Sequence, residues 1–335
     1  MTTALALPLH DAALAERLTG RLDLVEELLR SAVTYADPIA HDASSHLVNA
    51  GGKRLRPLLA LLTAELGDGA RREVIDAAAV VELTHLATLY HDDVMDSAPV
   101  RRGAPAAHEV WGNSVAILTG DLLFARASSL VSGLGPEAVR IQAQTFERLC
   151  LGQLHETVGP RPDEDPVAHY LQVLADKTAS LIATSARLGA MFGGCSPEVV
   201  RTVTQFGETI GVAFQLADDV IDLTSDGTVT GKTPGTDLRE GVPTMPALLL
   251  RSRAAADPAG SPDRDVVALL DSDLSDDADL ASAVAALREH EVVAQTRGRA
   301  VALARQAVTE LAPLPAGPVK DALVAFADAL VDRAS

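Results

Sequence analysis

The chain has 335 residues, 47% of them hydrophobic and only 3% aromatic, and carries a formal net charge of −18. Enough apolar surface is present for a large core, whereas so acidic a balance excludes a general nucleic-acid binder, which needs a cationic face to displace counterions from phosphates. Abundant Ala and Leu with few aromatics favour helices over β-sheet, so a mostly α protein is expected, in which an anionic ligand must meet local basic clusters.

The N-terminal stretch MTTALALPLHDAALAERL has no basic n-region, and no uninterrupted apolar run approaches membrane-spanning length. Cys150 and Cys195 are the only cysteines and match neither a paired-cysteine metal site nor a disulfide framework, so a reducing, cytoplasmic setting is expected, with core packing as their ordinary role. Leu14, Leu18, Leu22, Val25 and Leu29 recur at helical spacing, as do Leu55, Leu58, Leu59 and Leu62. Breakers fall at Pro57, at Gly67 and Gly69, from Pro99 to Pro105, from Gly133 to Pro136, from Gly159 to Pro166 and from Gly193 to Pro197. Their spacing predicts helices of ordinary length joined by short loops. Two longer loops are expected. Residues 225–243, SDGTVTGKTPGTDLREGVP, follow an acidic motif and are placed to cover a site, while residues 256–277, rich in Asp, Pro, Gly and Ser, read as a solvated connection. No repeat or composition break divides the chain, so residues 1–335 read as one helical domain.

The most informative segment is VELTHLATLYHDDVMD, residues 81–96. On a helix, Asp92 and Asp96 project from one face and Asp93 lies to the side. Carboxylates on one face repel, and Mg²⁺ bridging them to a phosphate would relieve that repulsion, since this hard ion takes oxygen ligands shared with substrate. One such motif alone is more often a charged helix end. FQLADDVIDL, residues 214–223, repeats the pattern with Asp218, Asp219 and Asp222 behind another apolar stretch. Two acidic helices facing each other could hold magnesium ions around a diphosphate.

The basic side comes from GGKRLRP, residues 51–57, and from the Arg101-Arg102 pair just after the first motif. Gly51 and Gly52 permit close backbone approach, and Lys53 and Arg56 offer a point charge and a planar fork for phosphate oxygens. Arg71-Arg72 reads as an ordinary solvated pair. His85, seven residues before Asp92, returns to roughly the same helix face, which favours a ligand role over a core histidine.

Taken together, GGKRLRP, HDDVMDSAPVRRG, GDLLFARA, Lys177-Thr178, FQLADDVID and GKTPGTDLREG resemble the trans-isoprenyl diphosphate synthases, especially the bacterial long-chain type, over nearly the whole chain. The resemblance implies an all-α isoprenoid synthase fold, a helical bundle around a central cavity, and a homodimer. It implies that Asp92, Asp96 and Asp218 bind Mg²⁺ directly, with Asp93, Asp219 and Asp222 supporting that cluster. It assigns Arg101, Lys177 and Lys232 to the allylic diphosphate, and Lys53, Arg56, His85, Arg102 and the Gly52 backbone to isopentenyl diphosphate. Thr178 and Gln215 would flank the developing allylic cation. One departure is Val242, where the family often has lysine.

The implied reaction is cleavage of the allylic carbon–oxygen bond, attack by the isopentenyl double bond on the cation, and loss of a proton to the released diphosphate. Ala87 and Thr88, about one turn behind Asp92, are small where short-chain members carry bulky aromatics. An open tube and a heptaprenyl to decaprenyl product are therefore expected, unless a facing helix near Leu130 or Leu134 supplies a floor. A long product would bring transient membrane contact. The competing readings are a farnesyl- or geranylgeranyl-length synthase, a terpene cyclase, which ordinarily lacks GGKRLRP and a second acidic motif, and a non-catalytic subunit of a heteromeric synthase, which usually loses acidic motifs.

Overall fold

A computed structural model describes residues 11–224, 234–256 and 261–331. Helices begin where the sequence supplies a cap. The Asp11 carboxylate accepts from the Leu14 N–H at 2.7 Å and starts α1 (Ala12–Ala32), and Asp37 does the same for Ala40 at 2.9 Å in α2 (Pro38–Asn49). Leu14, Leu18, Leu22, Val25 and Leu29 are all buried, as their spacing predicts. In α3 (Leu55–Ala64), Pro57 sits inside the first turn rather than breaking the helix, because the N–H that proline lacks has no intrahelical partner there.

Next come α4 (Arg72–Met95), a hairpin pairing Val100–Arg101 with Ala104–Pro105, α5 (Ala107–Trp111), α6 (Asn113–Ser132) and α7 (Pro136–Val158). After α8 (Pro166–Leu174), a π-helical turn at Ala175–Ala179 leads into α9 (Ser180–Phe192) and then α10 (Pro197–Thr224). The chain continues with a single turn α11 (Thr236–Arg239), α12 (Met245–Ala256), α13 (Pro262–Leu270), α14 (Asp277–Arg288), α15 (Glu291–Glu310) and α16 (Pro318–Val331). The all-α expectation holds. The solvated connection expected at 256–277 instead contains α13, with Pro262 at its start and Asp263 and Asp265 in its first turn. Asp263 ties it down, accepting from Arg253 at 2.9 Å and lying 3.1 Å from His290.

The chain divides into two compact units. One comprises Met1–Glu147, Ser180–Gly207 and Glu310–Phe326, the other Arg148–Ala179, Glu208–Thr309 and Ala327–Ser335. In the first, α4 packs against α6, α3, α9 and α1. Gly189 allows the close α3–α9 approach, since a Cβ there would lie 2.7 Å from the Ala60 carbonyl carbon. Among the described residues α6 alone is long and apolar enough to cross a membrane by length and composition. Its packing on α4, α2 and α5 makes one of its faces part of this unit's core. In the second unit, α12 packs on α8 and α13, and α13 on α14.

Candidate active site

The last turn of α4 presents Asp92 half-buried and Asp96 exposed, while Asp93 turns inward and is fully buried. Arg101 on the hairpin donates through Nε and Nη2 to Asp93 Oδ1, both at 2.6 Å. Burial pushes the Asp93 carboxyl up, and the Arg101 charge opposes that shift. Its Oδ2 is buried without a hydrogen-bond partner. A carboxylate oxygen left without a partner at this end of α4 is chemically of the hard type that a divalent cation takes. Among the described residues no group of three or more His, Cys, Asp or Glu side chains is placed to hold a metal ion by itself.

Behind these carboxylates lies the glycine-rich turn. Gly51 and Gly52 adopt φ of 81° and 141°, and Arg54 follows at 50°, all in the left-handed region. A Cβ at Gly52 would lie 2.7 Å from Arg102 Cζ, so only glycine lets that guanidinium lie on the backbone. Lys53 is exposed and Arg56 half-buried. Burial lowers the Arg56 pKa to about 10; Glu82 opposes this, Arg102 adds to it, and Asp92 opposes it. His85 is held well below its usual value, first by burial and then by Arg56, Arg102, Arg101 and Arg54, so its imidazole is neutral. The structure thus gathers Gly52, Arg56, His85, Arg102 and Asp92. Farther down α4, Ala87 is fully buried against α6, its carbonyl oxygen 3.1 Å from where a Gly120 Cβ would stand. Thr88 is half-buried and donates to the His85 carbonyl at 2.8 Å.

In the second unit the π turn carries Lys177 and buried Thr178. Lys177 pairs with Glu156 on α7. Arg148 clamps the turn, donating to Asp176 at 2.8 Å, to the Ala175 carbonyl at 3.1 Å and to Glu208 at 2.5 Å. Burial opposes the Arg148 charge, but these carboxylates hold its pKa above the usual value. On α10, Gln215, Asp218 and Asp222 are half-buried along one face, whereas Asp219 is buried. Both Asp219 oxygens accept from the Tyr170 hydroxyl at 2.9 Å, and Oδ2 also accepts from the Met245 N–H at 3.0 Å. Burial nevertheless raises the Asp219 pKa to about 7. Lys232 lies outside the described residues. Val242 is half-buried, and its N–H donates to the Asp237 carbonyl at 2.8 Å.

The sequence reading missed Glu82, Glu26, Arg54, Glu156, Arg148 and Tyr170. Glu82 left a signal as a charge set in an apolar helical run, and Arg54 lies inside the GGKRLRP motif, though neither signal specifies a role of its own.

Residues 37–287 match the polyprenyl synthetase family. A nonaprenyl diphosphate synthase of Mycobacterium tuberculosis is 45% identical over 333 residues, covering 99% of this chain and 98% of the relative. Among solved structures, a polyprenyl synthase from Caulobacter crescentus complexed with calcium and isoprenyl diphosphate superposes with a TM-score of 0.86 at 31% identity, covering 96% of this chain and 97% of that one. A geranylgeranyl pyrophosphate synthase from Corynebacterium glutamicum, also complexed with calcium and isoprenyl diphosphate, gives 0.84 at 42% identity, covering 97% and 98%.

Proposed function

From the premise that this chain belongs to the polyprenyl synthetase family, prenyltransferases of the all-helical isoprenoid synthase fold, we propose how it works. It joins isopentenyl diphosphate head to tail onto an allylic diphosphate and repeats the step to a heptaprenyl to decaprenyl length. The observation that carries this reading is the gathering of Arg56, Arg102 and His85 around the Gly51-Gly52 turn behind Asp92.

In the first unit, Lys53, Arg56 and Arg102 hold the isopentenyl diphosphate, with the Gly52 backbone close enough to join them. A neutral His85 contributes a hydrogen bond there without adding a further charge to a crowded cationic site. Asp92 and Asp96 supply hard oxygens for Mg²⁺, and in the second unit Asp218 does the same with Asp222 one turn on in support. Mg²⁺ held by these groups would neutralise the allylic diphosphate and act as a Lewis acid toward its departure. Arg101 in the first unit and Lys177 in the second are the described cations assigned to that diphosphate, and the resemblance adds Lys232, outside the described residues. Arg101 and Lys177 each carry a carboxylate partner, Asp93 and Glu156, which orders the cation and reduces the rotamer freedom lost on binding. Thr178 and Gln215 place polar oxygens beside the cation left when the carbon–oxygen bond breaks. The isopentenyl double bond forms the new carbon–carbon bond, and the departing diphosphate takes the proton that restores an allylic double bond. Neither step requires a side-chain nucleophile.

Small Ala87 and Thr88 support the long product, and the nonaprenyl synthase relative supports it further. The deciding experiment incubates the purified chain with labelled isopentenyl diphosphate, Mg²⁺ and allylic primers of graded length, then sizes the products. Arrest at farnesyl or geranylgeranyl diphosphate would refute the long-chain reading, and absence of any condensation would refute the function.

We propose a homodimer on the strength of the exposed face of α6, where Ile117 and Leu118 are 42% and 61% exposed, near the Phe124–Phe146 ring pair at 4.2 Å. Residues 1–335 are proposed to act as one domain because the family match runs without a break over 37–287, through segments of both units. A single calorimetric unfolding transition is the expected result. Two free thiols, Cys150 and Cys195, support a reducing, cytoplasmic setting.

A further inference from the structure

Glu82 is only 1% exposed, yet it lies among arginines that a core helix has no ordinary need of. Its Oε1 accepts from Arg54 Nη1 at 2.7 Å and stands 3.7 Å from Arg102 Nη2. Arg54, itself buried, also donates Nε to Glu26 at 2.5 Å and Nη2 to the Val48 carbonyl at 3.2 Å. Arg54 and Arg102 converge on one acceptor, the Gly51 carbonyl. One carboxylate on α4 therefore ties together the glycine turn, through Arg54, and the hairpin that follows Asp96, through Arg102. Glu82 is also the largest opposing charge acting on Arg56 and on Arg102. A well-packed apolar group would serve stability as well as such a buried ion pair. What the pair adds is fixed guanidinium geometry.

We propose that Glu82 is a positioning residue for the isopentenyl diphosphate site, setting the glycine turn and Arg102 through its contacts with Arg54 and Arg102 while itself touching no substrate. This rests on the assignment of Arg56, Arg102 and His85 to that diphosphate. Two effects of opposite sign make it decidable. Removing the Glu82 charge leaves the pocket more positive and by Coulomb attraction alone would tighten diphosphate binding. Releasing Arg54 and Arg102 from a fixed geometry would loosen it. A positioning role requires that the second effect win.

The test compares steady-state kinetics of the full chain and its Glu82→Gln, Glu26→Gln and Arg56→Ala variants, with thermal unfolding of each. Glu82→Gln is expected to raise the KM for isopentenyl diphosphate at least tenfold, with the KM for the allylic primer within twofold and kcat changed far less. Glu26→Gln, which removes an Arg54 partner and leaves Arg102 untouched, should raise the same KM less for a comparable loss of thermal stability. If a folded Glu82→Gln variant leaves the isopentenyl KM unchanged, lowers it, or raises both KM values together, the positioning role is overturned. Arg56→Ala separates that failure from failure of the site itself: if it too spares the isopentenyl KM, the site assignment falls, and the positioning role with it. Should Glu82→Gln not fold, Glu82→Asp decides. It keeps the charge but withdraws the carboxylate by one methylene, so a selective rise in isopentenyl KM is expected and an unchanged KM overturns the role.

Discussion

Gly152→Ala tests whether α7 fixes the π turn that carries Lys177 and Thr178. A Cβ at Gly152 would lie 2.5 Å from the Lys177 nitrogen, 2.9 Å from its Cα and 3.0 Å from the Asp176 carbonyl carbon. All three are backbone atoms, so no side-chain rotation relieves the contact. Reaching an ordinary separation of 3.4 Å requires α7 and the turn to part by about 0.9 Å, the difference between 3.4 and 2.5 Å. Arg148 resists that shift from the same helix through its bonds to Asp176 and to the Ala175 carbonyl. Overpacking of this kind costs about 1–3 kcal/mol, or several degrees in Tm. The larger effect falls on chemistry, because a misplacement of about 1 Å at a positioning group can cost roughly 100-fold in rate. Initial rates at saturating isopentenyl diphosphate and varied primer, with circular-dichroism melts, should show kcat/KM for the primer down about 10- to 100-fold in a folded protein. A folded Gly152→Ala enzyme with kcat/KM within twofold of the parent would refute the reasoning.

Asp92→Ala or Asp218→Ala should abolish nearly all turnover while leaving the melt unchanged, since each removes a proposed oxygen ligand from a half-buried position; near-normal rates that still require Mg²⁺ would sink the assignment. Ala87→Phe should shorten the product without removing the first condensations, at an overpacking cost of roughly 1–3 kcal/mol because Ala87 is fully buried. An unchanged product distribution from the folded variant would move the floor of the tube to another helix. Leu118→Glu, at a position 61% exposed, should leave the melt of the monomer intact and shift the mass measured by light scattering to a single chain. A parent enzyme that is already monomeric would end the dimer proposal.

Much of the helical framework is legible because an amphipathic helix carries its own apolar period: Leu14, Leu18, Leu22, Val25 and Leu29 recur on the buried face of α1, which packs on α3 and α4. Reading fails where composition and helix-start signals conflict. Residues 256–277 look like a loop from their Asp, Pro, Gly and Ser content, yet Pro262 followed by Asp263 and Asp265 is a helix start, stabilised by pairing with Arg253 and His290. Long-range partners are illegible for a different reason. Nothing local says that Arg54 will meet Glu26 and Glu82, each 28 residues away, or that Lys177 will meet Glu156, 21 residues away.

The two acidic motifs show most clearly what spacing alone conveys. Helical geometry puts Asp92 and Asp96 on one face of their helix and Asp218 and Asp222 on one face of theirs, with Asp93 to the side, and the family resemblance leaves the second aspartate of each motif with only a supporting role. In the structure that residue is the anchor of its motif, and each anchor uses different chemistry. Asp93 holds a cation, Arg101, and draws the hairpin onto the end of α4. Asp219 holds neutral donors, the Tyr170 hydroxyl and the Met245 N–H, and fastens α10 to α8 and to the start of α12. A carboxylate paired with a guanidinium keeps its charge more readily than one served by neutral donors alone, because only the guanidinium offsets the burial cost with a full opposite charge. Burial accordingly raises Asp219 to about 7, whereas at Asp93 the Arg101 charge works against the same push. Two copies of one sequence pattern therefore present similar carboxylates outward while being held from behind by unlike means, and only the outward half of that arrangement can be read from the pattern itself.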